Sequence, residues 1–201
     1  MNAITEPQKK ALIRRCFATI KERKNKKMNE VIKALKERRS IRKFTPEMPK
    51  KADLEQIIEA GLYAASARGE QDAIIVAVTD PEIRDRLSKE NAKIWGKEGV
   101  DPFYGAPAIL IVLARKDWPN RVYDGSLALG NMMLAAHSLG LGSIWIHRAK
   151  QEFEQEEWQS WLKSLGIEGE WEGIGHCAVG YMAGEMPKAA PRKENRAFWA
   201  E

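Results

Sequence analysis

Four short apolar segments alternate with helical patterns along the chain, and this alternation limits the folds open to it. Extended segments are predicted at residues 73–79, 108–114, 143–147 and 177–182. Helical patterns cover residues 53–63, 81–88, 123–139 and 152–165. We therefore predict an α+β protein, a three-layer α/β/α sandwich with helices on both faces of a central mixed sheet of four to five strands.

The basic charge of the chain is confined to its first residues. Residues 1–27 contain nine Lys and Arg against two Glu, whereas the rest of the chain contains 24 basic and 26 acidic side chains. We predict a basic helical N-terminal extension at residues 1–27 and one folded domain at residues 28–201, a length that can bury a hydrophobic core. Nucleic-acid or membrane-surface binding by the extension is the minor alternative to an appendage.

Several classes of protein are disfavoured by what the sequence lacks. The longest apolar runs, residues 106–114 and 139–146, fall short of the roughly 20 residues that span a bilayer, and the first residues lack an apolar export signal. We expect a cytoplasmic protein with free thiols at Cys16 and Cys177. The three histidines show no metal-ligand spacing, so we expect no metal site, and a structural role is favoured for His147 and His176.

The stretch Gly173-Ile174-Gly175-His176-Cys177-Ala178 matches the dinucleotide-binding fingerprint G-x-G-x-x-A. That fingerprint follows a strand and opens a helix, whereas this stretch runs into an extended segment. We do not expect a Rossmann site here.

The densest cationic cluster of the domain is Arg38-Arg39-Ser40-Ile41-Arg42-Lys43, at the junction of a helix and an extended segment. Arginine offers bidentate charge-assisted hydrogen bonds, and a serine hydroxyl adds a short donor, so the cluster could hold a phosphate monoester. A solvated helix end would have a similar composition. From the residues alone both interpretations stay open.

Three further segments carry candidate groups. The small-residue turn at residues 64–71 contains Ser66, Arg68 and Gln71, which could contact a flat ligand or simply end a helix. Asn131 is the polar exception in a helix of small residues, and the glycine turn that follows could offer backbone N–H groups to an anion. The cationic pair Arg192-Lys193, near the C-terminus, does not by itself indicate a binding site.

In order and spacing, these segments resemble the FMN-dependent nitroreductase family over about residues 28–201. The resemblance rests on the run from Arg38 to Phe44, the turn at 64–71, the strand entry Gly105-Ala106-Pro107-Ala108, residues 128–145 and residues 179–193. It implies an oxidoreductase that passes hydride from NAD(P)H through bound FMN to a nitroaromatic, quinone or similar acceptor in two steps. The flavin carries the chemistry, so no side chain is expected to be catalytic.

The resemblance also implies a homodimer with two FMN sites in its interface and a small-molecule acceptor. From the apolar runs and the charge distribution we expect neither a membrane nor a nucleic-acid partner. The phosphate and ribityl chain would be held by one chain and the flavin ring approached by both. The implied cofactor-binding residues are Arg38, Arg39, Ser40, Arg42, Ser66, Arg68, Gln71, Asn131, Gly142, Ser143, Arg192 and Lys193. The turn with Ser66, Arg68 and Gln71 would come from the partner subunit.

The chain departs from the family pattern after the small-residue turn, where it has Gly69 and Gln71-Asp72-Ala73. Contacts at these positions, the physiological acceptor and the choice between NADH and NADPH therefore stay open. Alternatives to the leading hypothesis are reductive dehalogenation, flavin breakdown or a flavin-binding protein without turnover. The chain also ends soon after Arg192, which predicts a short C-terminal arm.

Overall fold

The central sheet has four strands whose spatial order differs from their order in the chain. The computed structural model describes residues 28–200. Its strands are β1 (Ile74–Val78), β2 (Ala108–Arg115), β3 (Gly142–Ile146) and β4 (Trp171–Gly180). Their order is β1-β2-β4-β3, and all three neighbouring pairs are antiparallel.

Six α-helices accompany the sheet in the described part of the chain. They are α1 (Glu30–Glu37), α2 (Lys51–Leu62), α3 (Pro81–Trp95), α4 (Arg121–Ser138), α5 (Ala149–Phe153) and α6 (Glu156–Ser164), with a short 3-10 turn at Ala67–Gly69. The predicted α+β class and three-layer sandwich are confirmed.

The prediction of a mixed sheet is wrong, because all neighbouring strands of the sheet pair antiparallel. Among the described residues, parallel pairing is limited to one isolated bridge between Ser40 and Ser143. The strands on either side of α3 are antiparallel, so this helical connection returns the chain in the opposite direction. Strand direction depends on where each connection re-enters the sheet, and the spacing of apolar segments does not carry that information.

Strand β2 forms the centre of the molecule because its side chains alternate between two apolar layers. Ile109 and Ile111 pack with α3, α5 and α6 on one face, and Leu110 and Val112 pack with α2 and α4 on the other. All four side chains are fully buried. Each contributes roughly 1.5–3 kcal/mol by leaving water.

Several element boundaries differ from those predicted, for local reasons. Helix α2 begins at Lys51, so Asp53 lies inside its first turn and is not the cap. The capping residue of α3 is Asp80, whose carboxylate accepts from the N–H groups of Glu82 and Ile83. Strand β4 begins at Trp171, six residues before the predicted start, and so contains the whole Gly-x-Gly stretch.

That placement confirms the rejection of a dinucleotide fingerprint, because the glycines lie within a strand. A β-bulge opposite Val112 and Leu113 sends Ile174 and Gly175 to the same face of the sheet. A Cβ on Gly173 would lie 2.3 Å from the carbonyl oxygen of Ala149. The glycines are therefore required for close packing inside the sandwich.

Residues from Glu37 onward form one compact unit, and α1 up to Lys36 belongs to a separate one. Helix α1 is capped by the Asn29 side chain, which accepts from the N–H of Val31 at 3.0 Å. The predicted helix at residues 1–27 lies outside the described residues. Between residues 28 and 200, no helix combines the length and hydropathy needed to cross a bilayer.

Candidate functional site

The cationic run at residues 38–43 is fixed along the outer edge of strand β3. The N–H of Ile41 donates to the carbonyl of Ser143 at 3.0 Å, and the N–H of Ala183 donates to the carbonyl of Lys43 at 3.0 Å. These bonds tie the run to β3 and to the segment after β4, although the three parts are far apart in sequence. We call residues 38–43 the basic segment.

Arg38 is the cation of this segment that the fold places most unusually. Its Nη1 atom is buried and has no hydrogen-bond partner within the described chain. The guanidinium lies near the thiol of Cys177, whose pKa is raised to about 12 by burial, an effect that Arg38 partly offsets. A buried guanidinium N–H without an acceptor is costly, so this atom is suited to an anionic ligand.

The other members of the basic segment differ in exposure. Arg39 is half-buried and its Nη1 donates to the carbonyl of Arg38 at 2.7 Å. Ser40 is half-buried, and Arg42 and Lys43 are exposed. The segment thus combines exposed positive charge with the buried, unsatisfied Nη1 of Arg38.

Gly142 and Ser143 lie beside the basic segment, and their closest side-chain contacts are with other residues of the protein. A Cβ on Gly142 would lie 2.9 Å from Cγ1 of Ile41, so glycine is needed for Ile41 to pack. Ser143 is buried, and its hydroxyl donates to the carbonyl of Met133 at 3.4 Å. The two residues bring β3, α4 and the basic segment together.

The preceding glycine turn does not offer its N–H groups to a ligand. Gly140 has φ 76°, and its N–H donates to the carbonyl of His137, while the N–H of Leu141 donates to the carbonyl of Ala136. Both groups complete the C-terminal cap of helix α4. The suggestion that this turn stabilises an anion is wrong for these two N–H groups.

Asn131 lies on the exposed side of α4, toward helix α2. Its Nδ2 donates to the carbonyl of Ala60 at 3.1 Å, which leaves its Oδ1 for another donor. The same exposed side carries Tyr123, 71% exposed, and Leu127, 51% exposed. Gly130 lies between them and Leu134, and a Cβ there would meet open space.

The turn at residues 66–71 is strongly bent and contains two non-glycine residues in the left-handed region. Arg68 has φ 58° and Gln71 has φ 51°. The N–H of Gln71 donates to the hydroxyl of Ser66 at 3.1 Å. Ser66 is half-buried, whereas Arg68 and Gln71 are exposed. Gly69, where the family pattern is not kept, has φ 69°, a conformation that glycine adopts without strain.

Two carboxylates that were not predicted as site residues, Asp124 and Asp72, hold this turn at both ends. Asp124 of α4 is 5% exposed, and its Oδ1 accepts from the N–H of Ala67 at 3.1 Å. The side chain of Asp72 accepts from the N–H of Arg115 at 2.8 Å and from its Nε. Asp72, one of the departures from the family pattern, is therefore turned into the protein. A single aspartate in the first turn of an apolar helix was the available signal for Asp124.

A cavity of about 140 Å³ lies behind the turn. Its walls are mostly small or apolar residues, with three polar side chains, Ser66, Gln71 and Asp124. An open depression of about 570 Å³ lies outside it, bordered by Tyr63 and the same turn. A flat ligand could therefore approach the backbone of the turn closely.

Arg192 and Lys193 lie on the exposed extended segment that follows Tyr181. Nη2 of Arg192 donates to the carbonyl of Ala190 at 3.0 Å. The side chain of Arg192 thus folds onto its own segment, and its predicted closure on a phosphate stays a prediction.

The structure supports a structural role for His176, whereas His147 is exposed. His176 is fully buried, and its Nε2 lies 2.7 Å from Oε2 of Glu152, within ion-pair distance but without the alignment of a directed hydrogen bond. Oε1 of Glu152 accepts from Nδ2 of Asn91 at 2.7 Å. Nδ1 of His147 accepts from the N–H of Arg148 at 2.8 Å. Residues 28–200 contain no group of three acidic, Cys or His side chains arranged to hold a metal.

Comparison with known proteins adds to this geometry. Residues 35–181 match the profile of the Nitroreductase family. The chain is 32% identical over 139 residues to the FMN reductase [NAD(P)H] of Bacillus subtilis, covering 58% of this chain and 53% of that protein. It is 33% identical over 129 residues to the NADPH-flavin oxidoreductase of Vibrio harveyi, covering 59% and 54%. The chain thus spans about half the length of these two relatives.

Among solved structures, the fold is similar to that of a nitroreductase with bound FMN from Bacteroides fragilis. The two share 28% identity and superpose with a TM-score of 0.79, covering 87% of this chain and all of the other. The profile match, the relatives and the fold all point to the same group of proteins.

Proposed function

Because the chain belongs to the nitroreductase family, we propose that it is an FMN-dependent NAD(P)H oxidoreductase. Support comes from the similarity to flavin reductases and to an FMN-bound nitroreductase. The structural observation that supports the proposal is the buried Nη1 of Arg38, which has no hydrogen-bond partner within residues 28–200. A phosphate oxygen is an acceptor of the kind that this N–H group lacks.

The basic segment fits the phosphate end of FMN. The buried Nη1 of Arg38 would donate to the phosphate, and the exposed Arg42 would add positive charge near it. Ser40 would add a hydroxyl donor beside the strand edge. Since backbone hydrogen bonds already fix the segment, little ordering entropy is lost when an anion binds.

Bound FMN would supply the two-electron chemistry, taking hydride from NAD(P)H and later passing it to a nitroaromatic, quinone or similar small acceptor. The residues of the chain bind and orient in this scheme. Asn131 would present its free Oδ1 toward the flavin ring, beside Gly142 and Ser143. Arg192 and Lys193 would approach the phosphate from the C-terminal segment.

We propose a homodimer in which the exposed side of α4 packs against a second copy. Tyr123 and Leu127 are large exposed apolar side chains, and Gly130 leaves open space in which another backbone could approach. Asp124, which holds the turn, and Met133, beside the basic segment, are nine residues apart on α4, or about 14 Å along its axis. This separation supports the proposal that the turn contributes to the FMN site of the partner subunit.

The experiment that tests FMN binding uses the purified full chain. We expect a yellow protein that is bleached by NADH or NADPH without oxygen and recovers its colour with a nitroaromatic or quinone. Arg38→Ala should raise the dissociation constant for FMN at least tenfold, because a charge-assisted bond to phosphate is lost. Lys89→Ala, which removes an exposed cation from α3, is the matched control. A colourless wild-type protein that does not bind added FMN would contradict the proposal.

The two-chain site has a separate test. One chain carrying Arg38→Ala is assembled with another carrying Arg68→Ala. If the turn serves the partner, the mixed dimer has one intact site and one doubly altered site, so half of the FMN binds with native affinity. If each turn serves its own chain, every site has one defect and no native-affinity binding is seen.

A further inference from the structure

Asp124 joins two segments that no other described carboxylate connects. Its Oδ1 accepts from the N–H of Ala67 in the turn at 3.1 Å, and its Oδ2 accepts from Nε1 of Trp118 at 2.8 Å. Trp118 precedes helix α4, and Ala67 lies 57 residues before Asp124 in sequence. One buried carboxylate thus fixes the turn and the entry to α4 against each other.

The turn needs an anchor of this kind. Arg68 and Gln71 have positive φ angles, a backbone conformation that is strained for non-glycine residues. Such conformations persist only where surrounding contacts hold them. The internal bond from Gln71 to Ser66 closes the turn on itself, but it does not attach the turn to the domain.

The polarity of this contact requires a carboxylate. Both atoms bonded to Asp124 are N–H donors, so both of its side-chain oxygens must accept. An asparagine offers one oxygen and one NH₂ group, and the NH₂ group would face an N–H donor in a site with little water. At this position the isosteric amide is therefore not equivalent to the acid.

We propose that Asp124 is a positioning residue that sets the turn at 66–71 for contact with the flavin. This inference rests on the proposed function, since the contact itself belongs to it. Asp124 also lines the cavity behind the turn. Its two hydrogen bonds fix the position of the turn, and with it the positions of Ser66 and Gln71, which also line the cavity.

Two substitutions and their combination test the proposal. Asp124→Asn should raise the dissociation constant for FMN about tenfold and shift the visible absorption bands of the bound flavin, because the amide opposes one donor. Trp118→Phe should raise it no more than about threefold, since the bond to Ala67 remains. The double variant should return to the level of Trp118→Phe, because the NH₂ group no longer faces the indole N–H. Asp117→Asn, an exposed neighbour with the same charge change, is the control.

The affinity and spectrum of the bound flavin, compared with the Tm of the same variants without FMN, separate positioning from a general loss of stability. If the double variant binds FMN more weakly than Trp118→Phe, the NH₂ group facing the indole is not the cause of the weaker binding, and the proposal is overturned. It is also overturned if Asp124→Asn binds FMN with the affinity and spectrum of Asp117→Asn. If the wild-type protein itself does not bind FMN, the proposed function fails first. In that case the Ala67 and Trp118 contacts are tested by thermal unfolding of the same four variants, where the same rescue pattern is expected.

Discussion

Replacing Gly173 or Gly175 of strand β4 by alanine introduces a Cβ atom where the structure has no room. At position 173 the new atom lies 2.3 Å from the carbonyl oxygen of Ala149, and at position 175 it lies 2.1 Å from Nε1 of Trp145. Both distances are more than 1 Å inside the usual contact distance of roughly 3.5 Å. The two obstacles differ, because one is fixed backbone and the other is a half-exposed side chain.

The difference in obstacle sets the expected magnitudes. Overpacking a core costs about 1–3 kcal/mol. We expect Gly173→Ala to lose about 3 kcal/mol, since strand and helix must separate, and Gly175→Ala to lose about 1–2 kcal/mol, since the indole can move. For a domain of this size these losses correspond to about 6–12 °C and about 2–8 °C in Tm.

Thermal unfolding in two backgrounds checks this reasoning. In a Trp145→Ala background, Gly175→Ala should cost much less, because the indole is gone and only the end of the Leu129 side chain, with Cδ1 2.9 Å from the new Cβ, has to shift. Gly173→Ala should cost as much as before in that background. An undiminished loss for Gly175→Ala in the absence of the indole would refute the packing explanation of the glycine stretch.

Three other predictions concern titratable groups. Glu152→Ala should lower stability by about 1–3 kcal/mol, because it removes one acceptor of the buried Nδ2 of Asn91 and the group beside the buried His176; calorimetry of the variant checks this. Burial works to raise the pKa of Asp101, but hydrogen bonds from neighbouring groups outweigh it and hold the folded pKa below 3.8. Its stabilising effect is then complete above pH 4 and lost as the pH falls further, so the Tm difference between wild type and Asp101→Asn should shrink toward pH 3. Burial raises the pKa of Cys177 to about 12, so in a Cys16→Ser background a thiol reagent at pH 8 should react only after unfolding; rapid labelling of the folded protein would contradict this.

The fold class followed from the sequence because local patterns specify which segments are helices and strands. Strand β2 was found to within one residue, since a continuous apolar run is typical of a strand buried on both faces. The start of β4 was missed by six residues. Its glycines weaken a strand pattern, and their purpose becomes visible only when Ala149 and Trp145 are placed against them.

The candidate site was predictable in its parts and not in their arrangement. Arginine chemistry identified the basic segment, but only the bond between Ile41 and Ser143 shows that it lies along β3. In the glycine turn after α4, the N–H groups of Gly140 and Leu141 cap the helix, which the sequence did not reveal, whereas the predicted roles of Gly142 and Ser143 stay predictions. Asp124 was overlooked, since a carboxylate in the first turn of a helix is common and its partner is 57 residues away.

By itself, the sequence determined which segments become helices and strands and which side chains can bind an anion, because these depend on local periodicity and on functional groups. The tertiary structure alone decided the antiparallel order of the strands, the buried and unpartnered Nη1 of Arg38, and the attachment of the strained turn to Asp124. Each of these depends on atoms that are distant along the chain and meet only when the core closes. Their positions are set by packing over the whole domain, which no local pattern encodes.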